Sequence, residues 1–225
     1  MSLRVVLEVA PKKTFASALD WPGWARAGRT GDDALRALLD YAPRYAAVTK
    51  RARIAFAQPK TFRGLTVVET LPGDGGTEFG VPGAAARAEE ELLTAAELKR
   101  LIALLRASWS TLDSAARRAA GVELTTGPRG GGRDLAKMLG HVREAEGAYL
   151  GKLGSRAPAS ADEDPVKLTA RLRRTFTDAL TAVASGQPVA DPRGTHKLWG
   201  PRYAVRRAAW HVLDHAWEIQ DRSGT

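Results

Sequence analysis

The sequence predicts an α+β N-terminal domain followed by an all-α four-helix bundle. Three observations carry this expectation. Up to about residue 70, short β-branched runs alternate with one amphipathic helical stretch. Residues 71–85, "LPGDGGTEFGVPGAA", hold five glycines and two prolines. Beyond them Ala, Leu, Arg and Glu recur at helical spacing. The implied organisation is a small α+β domain over 1–72, a Gly/Pro-rich linker over 73–85 and a bundle over 86–225.

"RVVLEVA" (4–10) and "TFASALDW" (14–21) read as short strands around a Pro-Lys-Lys turn, and "GWARAG" (23–28) as a third. Residues 30–48 read as a helix. Thr30 is placed to cap it, Asp32 and Asp33 suit its positive end, and Ala34, Leu35, Leu38, Leu39 and Ala42 recur at its period. Pro43 should kink or divide that helix, because proline lacks the N–H that the ladder needs. "RIAFA" (53–57) and "LTVVETL" (65–71) return to strand character.

Four further helices follow. The first spans about 86–120, with Leu98, Leu101, Ile102, Leu105, Trp109 and Leu112 as its apolar stripe and Gly121 as its stop. The second spans about 133–153, with Leu135, Leu139, Val142 and Tyr149 inward. The third spans about 165–184; Pro165 suits a first turn, and Asp162 or Asp164 is placed to cap it. The last spans about 203–221. Four amphipathic helices with two long connections make a bundle.

Composition excludes several chemistries. Cysteine is absent, so disulfides, thiolate metal sites and a cysteine nucleophile are ruled out, and any thiol must arrive with a substrate or cofactor. The N-terminus lacks the pattern of a secretory signal, and no window approaches the ~18–20 apolar residues that cross a bilayer. A cytoplasmic protein without membrane partners is expected. The net charge of +9 is spread along the chain, so nucleic acid is not the favoured partner, although it is not excluded. No nucleophile elbow and no dinucleotide-binding glycine motif is present.

The four histidines are the informative residues. His211 and His215 stand four apart in "WHVLDHAWEI". On a helix such positions differ by about 40° in direction and about 6 Å along the axis, so the two rings can chelate one ion. Two ligands on one helix make a weak site. His141, in "MLGHVREAEGAYL" on the second helix, can supply a third, and three protein ligands with an open position is the catalytic pattern. His196 lies in a loop and is unassigned. The alternative is that the histidines are polar residues of an ordinary bundle.

The stretches "LGHVREAEGAYL" and "WGPRYAVRRAAWHVLDHAWEIQDR" resemble the DinB/YfiT superfamily of metal-binding four-helix bundles, over roughly 86–222. That family places one His on the second helix and an HxxxH-type pair on the fourth. The resemblance implies His141, His211 and His215 as ligands of a divalent metal, Zn²⁺ or Ni²⁺. It also implies a transferase or isomerase that uses an external low-molecular-weight thiol, and a homodimer. "ALDWPGWARAGRTGDDALRALLDYA" is similar to the HicB antitoxin-like pattern, over roughly 1–70, with Trp21 and Trp24 where smaller residues are usual and without a DNA-binding extension.

Around the histidines, Glu144 and Glu218 are the candidate catalytic carboxylates, because each lies three residues after a His and can orient a ring or accept a proton. Asp214 bears the same relation to His211. Arg207, four before His211, and Arg129 and Arg133 of "TTGPRGGGRD" are candidates for binding an anionic substrate; that glycine-rich loop lacks the ending of a P-loop and can equally be a connector. Trp199, Trp210, Trp217, Tyr149 and Tyr203 can be core or substrate wall. The expected function is a metal-dependent enzyme acting on a small molecule. The alternatives are a regulatory protein that binds a protein or RNA through its HicB-like part, and a bundle whose histidines are structural.

Overall fold

The computed structural model describes residues 2–127, 132–157, 163–187 and 198–224. The N-terminal part is a mixed sheet of β1 (Leu3–Val9), β2 (Thr14–Ala18), β3 (Ala25–Gly28) and β4 (Leu65–Pro72), in the order β3-β2-β1-β4. β1 pairs antiparallel with β2, from Val5 opposite Ala18 to Val9 opposite Thr14. β4 pairs parallel with β1, with a register shift between Val5 and Val6. The crossover from β3 to β4 carries two helices, α1 (Gly31–Asp40) and α2 (Ala42–Ala52).

Local chemistry accounts for these boundaries. Thr30 and Asp33 form a reciprocal capping box at the start of α1. The predicted helix does divide: it breaks at Tyr41, and Pro43 sits in the first turn of α2, where its missing N–H costs nothing. The strand expected over 53–57 is not formed. Arg53 ends α2 in the left-handed region (φ 57°), the Ile54 N–H donates back to the Thr49 carbonyl, and the chain runs on without a ladder partner. Phe56 is instead half-buried against rings, with centroids 4.7 Å from Trp21, 5.3 Å from Trp24 and 5.6 Å from Tyr45. Its apolar surface finds cover without a strand.

The segment after β4 is tied down at several points. Asp74 caps a short helix, α3 (Gly75–Phe79). The buried Glu8 carboxylate accepts from the Thr77 hydroxyl and from the Gly83 and Ala84 N–H groups. The helix expected from residue 86 begins later, as α4 (Ala95–Arg118), because Thr94 and Glu97 form a capping box there; residues Arg87–Glu89 make only a 3-10 turn.

Three more long helices complete the described chain: α5 (Leu135–Lys152), α6 (Pro165–Ala184) and α7 (Pro201–Ser223). α6 has the predicted bounds and is capped by Asp164; Asp162 lies outside the described residues. α4 packs on α7, α5 on both α6 and α7, and α6 also touches α4 and α7. Among the described residues, no helix is long and apolar enough to cross a membrane.

α7 departs from a simple amphipathic helix. Every residue from Tyr203 to Leu213 is buried. One side, through Ala204, Val205, Ala208, Val212, Ala216 and Ile219, joins the core shared with α4, α5 and α6. Another, through Leu213 and Trp217, joins Val5, Trp24, Leu38 and Tyr45 of the N-terminal part. Trp210 meets Phe15 of β2 edge-on at 6.2 Å. Gly23 permits this approach: its φ is +91°, and a Cβ there would lie 2.7 Å from Leu213 Cδ1. One strip of polar groups on this helix faces α5.

Candidate metal centre

That strip carries Arg207, His211, His215, Glu218 and Arg222, spaced three or four residues apart. Opposite it, α5 starts where Asp134 accepts the Lys137 N–H, and His141 follows in its second turn. The rings converge. His141 lies 5.0 Å from His211 and 5.2 Å from His215 between centroids, and the α7 pair is 4.7 Å apart. One ring nitrogen from each histidine lies within 4.8 Å of the others.

The donor set suits a divalent ion. Zinc–nitrogen bonds of about 2.0–2.1 Å at tetrahedral angles place two ligand nitrogens about 3.3–3.4 Å apart. The Nε2 atoms of His141 and His211 are 3.2 Å apart. With the widest separation bounded by 4.8 Å, closure onto one ion requires a ring shift of at most about 1.5 Å. His211 Nδ1 is buried without a hydrogen-bond partner among the described residues, so this ring can be compensated only at Nε2.

Electrostatics keeps the donors in the right protonation state. Burial pushes the His211 pKa down to about 2, helped by the charges of His215 and Arg207. Burial also lowers His141, with Arg133 adding to the effect. Both rings are therefore neutral at pH 7 and offer lone pairs. His215 is oriented from behind: its Nδ1 is 3.1 Å from Glu218 Oε2, which leaves Nε2 free for the cluster. The Glu218 carboxyl is held below its usual range by the His215 hydrogen bond and by Arg222. Arg222 donates to Glu218 Oε1 at 3.0 Å and to the Thr125 carbonyl at 2.7 Å.

The remaining candidates separate clearly. Glu218 touches the cluster, but both its oxygens are engaged, so it positions His215. Glu144 is exposed, without a hydrogen bond among the described residues, and acts on His141 only through space. Asp214 accepts from Arg26 at 2.9 Å and bonds no histidine among the described residues. Arg207 is buried beside His211, over the rings of Tyr149 and Trp210. Arg133 is exposed at the rim of a cleft of about 1020 Å³ whose lining includes His215, Glu218 and Arg222. Arg129 and His196 lie outside the described residues. Trp210 and Trp217 are core, whereas Trp199 is half-buried, 5.2 Å from Tyr149 and 4.9 Å from Tyr203.

Sequence reasoning missed two contributors. Arg222 was legible as the i+4 partner of Glu218. Arg26 was not, because it reaches the cleft from β3, stacked at 3.8 Å over Tyr41 and 4.6 Å over Trp217. Comparison with protein-family models, with curated proteins and with solved structures gives no match, so the reading of this site rests on its own geometry.

Proposed function

We propose that the chain is a divalent-metal-dependent enzyme acting on a small molecule, with Zn²⁺ or Ni²⁺ held by His141, His211 and His215. The observation that carries this is the approach of three ring nitrogens, from two helices, to within 4.8 Å of one another. Three imidazoles with no carboxylate between them are a donor set suited to a divalent cation. When bound, the ion supplies a Lewis-acid position that lowers the pKa of a water or thiol placed there. The chain has no cysteine, so a thiol would be external.

Its own residues do the rest. Glu218 fixes the tautomer and direction of His215, and Arg222 fixes Glu218. The burial of His211 withholds protons from the donor set. The cleft beside His215 admits a small molecule. The resemblance to DinB/YfiT proteins supports reading the four long helices as a bundle of that kind and the reaction as thiol-dependent transfer or isomerisation. The same resemblance supports a cytoplasmic homodimer.

Elemental analysis after reconstitution with Zn²⁺ or Ni²⁺ tests this. Near-stoichiometric metal is expected in the wild type and little in His215→Ala. Equal metal in both proteins, or none in the wild type, overturns the reading.

A further inference from the structure

α7 carries three buried arginines, and two of them are paired. Arg206 meets Glu89 at 2.5 Å and the Ala84 carbonyl at 2.7 Å. Arg222 meets Glu218 at 3.0 Å and the Thr125 carbonyl at 2.7 Å. The third, Arg207, is only 9% exposed, and its Nη1 is covered and without a hydrogen-bond partner. No carboxylate among the described residues pairs with it. Its neighbours are aromatic faces, with its Cζ 5.3 Å from the Tyr149 ring and 4.7 Å from the Trp210 ring. Such faces attract a cation but accept few of the guanidinium's five N–H donors. A buried cation without a counter-charge is costly to keep.

The same two rings flank the metal centre. Tyr149 lies 5.9 Å and Trp210 6.1 Å from the His211 ring. Arg207 also precedes His211 by one helical turn, about 6 Å along the axis. We propose that Arg207 is the anion-recognition residue of this centre and that the ligand is a small molecule bearing a carboxylate, held by the guanidinium while the rest of the molecule reaches the three histidines. This rests on the small-molecule reading of the site and names its substrate class.

Charge balance selects a carboxylate over a phosphate. The planar guanidinium fork matches two carboxylate oxygens, and one positive charge cancels one negative charge. A phosphate dianion would bring a second charge between Tyr149 and Trp210, where Arg207 is the one cationic side chain among the described residues. The aromatic walls favour a flat, apolar body attached to the acid.

The test is calorimetric titration of the full-length chain, zinc-loaded and chelator-treated, with benzoate, benzamide and inorganic phosphate as probes. Benzoate should bind saturably in both forms, and at least about tenfold more tightly than benzamide or phosphate. Arg207→Gln should weaken benzoate by about tenfold or more while still binding zinc, and its ligand-free melting temperature should equal or exceed that of the wild type. Arg207→Lys should fall between the two. Unchanged benzoate affinity in Arg207→Gln overturns the proposal, as does a melting temperature lowered by several degrees, which would mark a structural arginine. Phosphate binding as tight as benzoate overturns the choice of carboxylate. If no variant folds, equal binding of benzoate and benzamide by the wild type overturns it alone. Benzoate selectivity in a protein that takes up no metal sustains this proposal and sinks the metal reading; zinc uptake without benzoate selectivity does the reverse.

Discussion

α5 contributes to two buried polar clusters, and they solve opposite problems. His141 faces α7 and meets His211 and His215. Five residues on, Glu146 faces α4 and α6 and is 1% exposed. There Arg173 approaches it to 3.7 Å, lies 5.4 Å over the Trp109 ring and donates to both oxygens of Asp113 at 3.0 and 2.9 Å. Burial pushes the Glu146 carboxyl up to about 7, against the pull of Arg173. This second cluster holds two acids and a base and can balance itself with one proton. The histidine cluster holds three donors of the same kind with no acid between them; His141 and His211 meet at 3.2 Å, and His215 is backed by Glu218. Buried groups of mixed charge describe a folded core; buried lone pairs that converge describe a site.

Four measurements can break or sharpen this contrast. The largest effect is expected at the histidines: His211→Ala should weaken zinc binding by about a thousandfold or more, read by competition with a chelator, because two imidazoles make a poor site. Retention of tight binding would place the metal elsewhere.

Next is the acid cluster. The Glu146 pKa rises from 4.5 unfolded to about 7 folded, so its contribution to stability is fully present below pH 4.5 and is lost as pH rises through about 7. The loss amounts to about 3 kcal/mol. Glu146→Gln should flatten the pH dependence of denaturant unfolding between pH 5 and 8 and be the more stable protein at pH 8; Arg173 keeps Asp113 as its partner in that variant. An unchanged slope would show that Glu146 is ionised in the fold.

A smaller effect is expected behind the metal. Glu218→Gln keeps the shape but removes the charge facing His215, and should lower zinc affinity by about ten- to a hundredfold without unfolding the chain. A loss as large as that of His211→Ala would make Glu218 a ligand instead. The smallest effect belongs to Glu144, which is exposed and unbonded among the described residues. Glu144→Gln should change stability by less than about 0.5 kcal/mol and leave zinc affinity within about twofold. A large drop in turnover with unchanged metal content would restore it as a proton acceptor.

Much of the helical region was legible because its signals are local. Asp164 and Pro165 start α6 where the pattern places it, Thr30 and Asp33 cap α1, and Pro43 divides the crossover. The spacing of His211 and His215 put both on one face of α7. What failed also failed for a physical reason. "RIAFA" has strand composition, yet Phe56 is covered by rings from elsewhere in the chain. Arg26 lies near no histidine in sequence and still lines the cleft.

The amino-acid order alone determined where α1 and α6 begin, that no thiolate chemistry belongs to this chain, and that two imidazoles share a helix face. These follow from hydrogen bonds and periodicity that reach only a few residues. That His141 meets the pair, that α7 is enclosed by helices and sheet together, and that Arg207 lies buried without a counter-charge among the described residues were decided by tertiary packing. Those facts depend on how whole elements dock, and a residue's own neighbours in sequence carry no record of it.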